Sequence, residues 1–419
     1  MAVGGHTVLR RHDQPRRVNL MGGRGRRVLC FGGEDWWYHN RAHVDMQLMR
    51  QLARRGRVLY VNSIVMRKPN VGEGRMFLRR VARKLRSVRR GLVEVEPRFH
   101  VYSPSALPVH HLPGARALNQ LALRAQVAGA LRRLGIQEPL VWVACPAACG
   151  AALGLQRTAL VYQRTDRYEE YPGVDGKVIR EFDRTLKAEA DVTFFVNRLL
   201  FEQERGECSN AYLLDHGVDY ELFAHAENDR WVPEDMRGVR RPVVGFFGGI
   251  DDHTSDVPLV AEAVRRAPDL TFVFVGSASA DLSGLRELSN VQLLGQRPYE
   301  QVPHYGKCFN VAIMPWRQNR WIEACNPIKL KEYLALGKPV VSTPFPELAQ
   351  YDGLVYRASG AEDFVAAIRR ALAEDNEERR TARRERVKAH TWDAKAEEAL
   401  RVVEEAVARK ASGARNVNR

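Results

Sequence analysis

Residues 326–343 read Asn-Pro-Ile-Lys-Leu-Lys-Glu-Tyr-Leu-Ala-Leu-Gly-Lys-Pro-Val-Val-Ser-Thr. That order dictates a helix, a stop and a strand. Pro327 suits the first turn of a helix, where its missing N–H leaves no bond unmade. Ile328, Leu330, Leu334 and Leu336 give apolar anchors, and Gly337 is a natural C-terminal stop. Residues 339–343 are a short β-branched run, which predicts a buried strand. Similar alternations of helix and strand recur along the chain, so the fold class expected is α/β with doubly wound sheets.

The start of this helix also carries chemistry. Free N–H groups and the helix dipole there favour an anion. Lys329, in the first turn, adds a point charge suited to phosphate. Glu332 lies three residues on and shares a face with it, and its carboxylate can accept both hydroxyls of a ribose. Together these describe a nucleotide-sugar site. Ordinary amphipathic helices carry Lys–Glu pairs at the same spacing, so spacing alone leaves both readings open.

The stretch resembles the donor-binding helix of GT-B glycosyltransferases, in the large retaining family 4 that includes sucrose synthases and bacterial mannosyltransferases. The pattern Pro-x-Lys-x-x-Glu-Tyr-Leu-Ala-x-Gly-Lys-Pro-Val-Val is typical of a bacterial branch, and the resemblance runs from about Arg27 to the last helix. It implies two Rossmann-like domains facing across a cleft, with the nucleotide ribose on Glu332. Many members carry another glutamate eight positions earlier, near the transferred sugar; here that position is Ala324, and Glu323 beside it is the substitute candidate.

A length of 419 residues suits two domains. The six cysteines are scattered, and Cys145 and Cys149 have no second pair or nearby histidine, so zinc is not expected. Reduced thiols point to the cytosol. No run of about 18 apolar residues predicts a membrane-spanning helix. Residues 1–26 are rich in Arg and Gly and lack an apolar signal region. We read them as a disordered basic tail, with Met21 as an alternative start.

The net charge of +15 calls for a partner, and nucleic acid and an anionic membrane are the usual two. Residues 67–90 hold ten Lys/Arg and a single acid, Glu73. Phe77, Val81, Leu85 and Val88 form an apolar stripe at helical spacing. Such a basic amphipathic helix can lie in a membrane interface, with Phe77, Arg79, Arg80, Arg83 and Lys84 as contacts. The alternative is a stripe packed on its own domain. No aromatic stacking platform accompanies the charge, so nucleic acid is not the expected partner.

A strand over residues 27–31 ends in Gly32-Gly33, and a helix is predicted over 40–54. No full Gly-x-Gly-x-x-Gly is present, which argues against a nicotinamide cofactor. In the resembled family this first loop seats the acceptor, which makes Trp36, Trp37, Arg41 and His43 acceptor-side candidates; Trp36 and Trp37 can equally pack the loop. Tyr162 and Asp166 match a Tyr-x-x-x-Asp of the same branch at a strand's carboxyl end, where open α/β sheets bind ligands. Asp166 is therefore a candidate base or acceptor-hydroxyl partner, with Arg167 beside it; its other reading is a turn cap.

His216-Gly-Val-Asp, followed by Phe223, resembles the family's Asn-Gly-Val-Asp-x-x-x-Phe at the end of the first domain. The expected division is a first domain at 27–223, a linker at 224–241, a donor domain at 242–390, and a helix at 391–409 crossing back. Gly248 and Gly249 end a strand, where backbone can approach a diphosphate closely. The family's Arg and Lys-Gly are replaced here by Ile250-Asp251-Asp252-His253. Diphosphate contacts then rest on Gly248, Gly249, Asn326, Pro327 and Lys329, with Arg297.

These readings lead to the expectation of a glycosyltransferase using a nucleotide-diphosphate sugar, with UDP favoured. A positive helix start and Lys329 can stabilise a departing diphosphate without a metal, and no cofactor is expected. The acceptor expected from the basic helix is lipid-linked or a surface polysaccharide, and the location is the inner face of the membrane. The rivals are a degenerate GT-B binding partner and a nucleotide-sugar 2-epimerase of related shape.

Overall fold

The computed structural model describes residues 26–38, 43–64, 75–105 and 113–412, without the side chains of 75–80 and 113. Arg41, the side chains of Phe77, Arg79 and Arg80, and residues 1–25 lie outside the described residues; Arg26, counted with the tail, is instead the first residue of a strand and donates to Glu404 at 3.1 Å.

Runs rich in Val, Ile, Leu and Phe become strands buried on both faces, as parallel sheets covered by helices require. The first sheet begins with β1 (Arg26–Phe31), α1 (Val44–Arg55), β2 (Gly56–Val61), α2 (Arg75–Arg90), β3 (Leu92–Glu96) and β4 (Phe99–Tyr102). It continues with α3 (Pro113–Arg133), β5 (Leu140–Val143), α4 (Cys149–Leu153), β6 (Ala159–Arg164), α5 (Gly176–Glu189) and β7 (Val192–Phe195). It ends with α6 (Arg198–Glu204) and β8 (Ala211–Leu213). The spatial order is β3-β4-β2-β1-β5-β6-β7-β8, and every pairing is parallel except that of β3 with β4.

After α7 (Tyr220–Asn228) the second sheet starts at β9 (Val243–Phe247), followed by α8 (Val257–Arg266), β10 (Thr271–Val275), α9 (Ser283–Arg286) and β11 (Val291–Gly295). Then come α10 (Val302–Gly306), β12 (Val311–Met314), α11 (Arg320–Glu323), α12 (Ile328–Ala335), β13 (Val340–Ser342) and β14 (Val355–Arg357). The order is β11-β10-β9-β12-β13-β14, all parallel. The direction of winding reverses between β1 and β5 in one sheet and between β9 and β12 in the other. Sheets of this kind bind ligands at the carboxyl ends beside that reversal, and residues from both reversals line a single cleft.

The last helices are α13 (Ala361–Glu374), α14 (Glu377–Lys388) and α15 (Trp392–Ala411). Trp392, Leu400 and Val403 of α15 share an apolar cluster with Val28 and Leu48 of the first sheet's layer. The stretch 224–241 is not the plain linker expected from its polarity. Helix α7 runs across its start, and Phe223 of that helix packs 6.1 Å from Phe247 and 6.0 Å from Tyr299 (ring centroids) on the second sheet's side. Pro327 likewise stands one residue outside the first turn, as the extended cap of α12.

Helix α2 is inverted relative to an ordinary surface helix. Its inward groups are polar: Ser87 is buried and donates to Asp35 at 2.9 Å, and Lys84 donates to the Ser63 carbonyl at 3.1 Å. Val81 and Leu85 of the apolar stripe are 39% and 59% exposed. Val81 and Leu85 therefore do not pack on their own domain, while Val88 is half-buried. Lys84 is corrected from an outward membrane contact to an inward structural one, while Arg83 is exposed and lies 5.6 Å from the Tyr38 ring centroid.

Candidate functional site

One wall of the cleft is built by two glycines. Gly248 follows β9 with φ +130°, and Gly276 follows β10 with φ +156°. These are conformations that glycine adopts freely and other residues do not. A Cβ at Gly276 would lie 1.8 Å from the Gly248 carbonyl oxygen, and one at Gly248 would lie 2.7 Å from Lys329 Nζ. The missing side chains leave room for the lysine, whose Nζ sits 4.5 Å from the Phe246 ring centroid and 5.7 Å from that of Trp316. Burial lowers the Lys329 pKa to about 8, opposed by Glu332 and Asp251.

Glu332, one turn further along α12, is buried and accepts from the Tyr299 hydroxyl at 2.9 Å. Burial raises its pKa to about 7, against that hydrogen bond and the nearby lysine. The start of α12 is tied to the first domain. Asn326 donates to the Val196 carbonyl and to Asp215, both at 2.7 Å, and Lys331, fully buried, reaches Asp215 at 2.5 Å. Asn326 and Pro327 line the cleft with Lys329.

The opposite wall belongs to the first sheet. Asp166 follows β6 and lines the cleft, with Cys325 Sγ 3.9 Å from its carboxylate. Burial raises its pKa to about 6, opposed by His43 and Arg164. The turn after it is held by the Tyr168 N–H on the Asp166 carbonyl, 2.9 Å, so that turn has a main-chain anchor besides any side-chain cap. His43, just before α1, also lines the cleft, and its Nδ1 bonds to Asp45. Asp45 is fully buried and accepts from the Gly33 N–H at 2.7 Å and the Tyr60 hydroxyl at 2.9 Å. Burial would lower the His43 pKa, but Asp45 more than offsets it and holds it at about 9.

Other nominated residues stand elsewhere. Trp36 is 3% exposed, with its ring 4.8 Å edge-on from Phe99, so it is a core residue and not an acceptor contact. Trp37 donates to Ser103 at 3.1 Å under Arg90. Arg167 donates to the Arg320 carbonyl at 3.0 Å and to Gln203 at 2.8 Å, and lies 3.6 Å from Glu323. That pair bridges the domains beside the cleft and lines none of it; Glu323, 56% exposed, is no replacement for the missing glutamate. Ala324 packs on Phe195 and Leu200. Gly248 and Gly249 line the cleft as expected. Arg297 lines it too, but its Nη2 is held by Asp235 at 2.7 Å and its Nε by Tyr305 at 2.8 Å, which removes its best donors from a diphosphate.

Sequence reasoning missed Asp45, buried behind the wall, and the lining residues Gly276, Trp316, Trp321 and His216 as parts of the site. Only Gly276, a glycine closing a β-branched run, carried a local signal. Asp251, where the family places cations, accepts the N–H groups of His253 and Thr254 at 2.9 Å and so closes its own loop. Among the described residues no three His, Cys, Asp or Glu side chains are grouped to hold a metal ion.

Comparison with solved structures places this architecture. The chain superposes on sucrose-phosphate synthase from Thermosynechococcus elongatus with a TM-score of 0.67 at 17% identity, covering 91% of this chain and 99% of that one. It superposes on Anabaena HepE, solved with UDP and glucose, with a TM-score of 0.56 at 14% identity, covering 93% and 99%.

The fold is GT-B. The GT-B half that carries Gly248, Gly276, Lys329 and Glu332 also matches a family model described as Glycosyl transferases group 1, over residues 241–374. TuaH of Bacillus subtilis (strain 168), named for teichuronic acid biosynthesis as a glycosyltransferase, is 29% identical over 246 residues. That match covers 52% of this chain and 60% of TuaH.

Proposed function

We propose that the protein transfers a sugar from a nucleotide-diphosphate donor, a UDP-sugar, to a hydroxyl of a lipid-linked or surface-polysaccharide acceptor. The observation that carries this is the pairing of the two cleft walls. Lys329, the start of α12, the close-approaching glycines and Glu332 stand on one side, and Asp166 and His43 on the other. Negative charge grows on the diphosphate as it leaves. Lys329 and the positive end of α12 meet that charge without a metal ion. Glu332 takes the ribose hydroxyls, and Asp166 takes the proton of the acceptor hydroxyl. The sugar keeps its configuration, as the family 4 resemblance implies.

The relatives support the reading in kind. HepE was solved with UDP-glucose, and TuaH is named for a cell-surface polymer. The inverted helix α2 supports an anionic membrane surface as the place of work, on the cytoplasmic side. Among the described residues no helix is long and apolar enough to cross a membrane.

The test is thermal melting with UDP, GDP, dTDP and ADP, without added metal, for wild type and Glu332→Ala. A ligand at 100 times its Kd adds about 2.7 kcal/mol. A shift with UDP that disappears in the variant supports the donor site. No shift with any nucleotide sinks it and favours a degenerate scaffold.

A further inference from the structure

Behind the cleft wall stands a buried carboxylate whose role the donor reading leaves open. Asp45 has its carboxylate fixed by four groups, the Gly33 N–H, the Met46 N–H, the Tyr60 hydroxyl and His43 Nδ1. It cannot turn away from His43. Because Asp45 only accepts, Nδ1 carries a proton, and Nε2 is the ring's remaining polar atom. The side chain is 24% exposed and lines the cleft.

The charges around His43 come from four elements. They are Asp45 on α1, Glu34 after β1, Asp166 after β6, and the His216 ring after β8. Burial holds His216 neutral, with its pKa near 3. Asp166 faces His43, Arg164, Glu34, Cys325 and the Tyr168 hydroxyl. Arg164 is already surrounded by carboxylates, with Glu169 at 2.9 Å, Glu204 at 3.2 Å and Asp183 at 3.3 Å. Asp45, Glu34 and Asp166 thus stand around His43, and among the described residues the other cation beside Asp166 is Arg164, which donates to the Asp166 main-chain carbonyl at 2.8 Å. Like charges in such a place drive one another to the neutral form unless a positive group stands among them.

We propose that His43, tethered by Asp45, is a positioning residue for the transfer step: a fixed imidazolium that keeps Asp166 ionised and ready for the acceptor's proton. This rests on the glycosyl-transfer reading of the cleft. In the step, the acceptor oxygen bonds to the anomeric carbon on the face the diphosphate leaves, which keeps the configuration, and its proton passes to the Asp166 carboxylate. The bond from that carbon to the diphosphate oxygen breaks, and its electron pair leaves with the diphosphate. His43 neither gains nor loses a proton. The values given above, about 6 for Asp166 and about 9 for His43, leave both groups charged near neutral pH.

Two measurements test this. The first is the pH dependence of kcat/KM for sugar transfer from the UDP-sugar by wild type, His43→Gln and His43→Arg. Loss of the imidazolium is expected to move the acid limb upward by about one pH unit in His43→Gln, with a partial return in His43→Arg. The second is a histidine-selective 15N NMR titration of the wild type, with the His43 signal identified by its absence from His43→Gln. It is expected to stay protonated through pH 8, and to lose its proton at lower pH in Asp45→Asn. An active His43→Gln with the wild-type acid limb overturns the proposal alone, as does a His43 signal that is neutral by pH 7. A wild type that transfers and hydrolyses no nucleotide sugar overturns the transfer reading itself and the catalytic role with it, while the titration still decides the charge of His43.

Discussion

Gly276 approaches Gly248 so closely that a Cβ on the first would sit 1.8 Å from the carbonyl oxygen of the second. Two strand ends of the donor sheet therefore meet backbone to backbone, and both glycines hold φ values that side chains disfavour. Gly276→Ala should lower the melting temperature, since strain of this kind costs about 1–3 kcal/mol before any clash is relieved, and should abolish the UDP-induced shift. Gly249→Ala is the contrast. Its Cβ would meet nothing within 4 Å, so stability should stay within about 0.5 kcal/mol while UDP binding weakens. Equal stability of the two variants in urea would refute the close-approach account.

Glu332 gives a pH signature. Its folded pKa is raised to about 7 from the ordinary 4.5. The folded state therefore binds more protons than the unfolded one between those values, and stability falls as pH rises through the window. The contribution is on the order of 3 kcal/mol across it. Glu332→Gln should remove that slope, becoming relatively more stable than wild type at pH 8 than at pH 4. Parallel urea curves for the two proteins at both pH values would contradict a carboxylate whose burial outweighs its partners.

The helix, stop and strand read at 326–343 correspond to α12 and β13, because periodicity and breakers are local signals. The two-sheet α/β architecture followed from the same signals repeated. What was not legible was the direction of side chains set by distant packing. Trp36 lies in a loop of charged and aromatic residues, yet Phe99, from a strand 63 positions on, draws it into the core. Glu323 neighbours the position a family glutamate would fill, but the short helix α11 turns it toward Arg167. Arg297 looked like a phosphate ligand until Asp235, in a stretch taken for linker, engaged it. Asp45 gave no signal at all, since its importance arises only where β1, α1 and β2 converge.

The tie between the domains is open to a direct test. Lys331 is fully buried, with Asp215 at 2.5 Å, and Asp215 also accepts from Asn326 at 2.7 Å. Despite burial, the charge of Lys331 holds the Asp215 carboxyl far below the ordinary range. Lys331→Met would leave that carboxylate buried without its main cation, which typically costs about 3–5 kcal/mol. The double variant Lys331→Met, Asp215→Asn should recover much of the loss. Chemical unfolding of the three proteins gives the coupling, and additive single effects would mean the pair is incidental.

Helix α2 should decide where the protein works. Its inward face is polar, through Ser87 and Lys84, and its outward face shows Val81 and Leu85 among Arg83, Arg86, Arg89 and Arg90. An apolar pair ringed by arginines matches an anionic bilayer surface, where each basic group contributes roughly 1 kcal/mol. Wild type should sediment with vesicles containing phosphatidylglycerol and not with pure phosphatidylcholine, and binding should weaken as salt rises. Val81→Glu, Leu85→Glu should lose most of the vesicle binding while keeping the UDP-induced melting shift, because neither residue touches the cleft. If the double variant binds vesicles as well as wild type, the exposed pair serves another purpose, and the basic charge of the chain must be explained without a membrane.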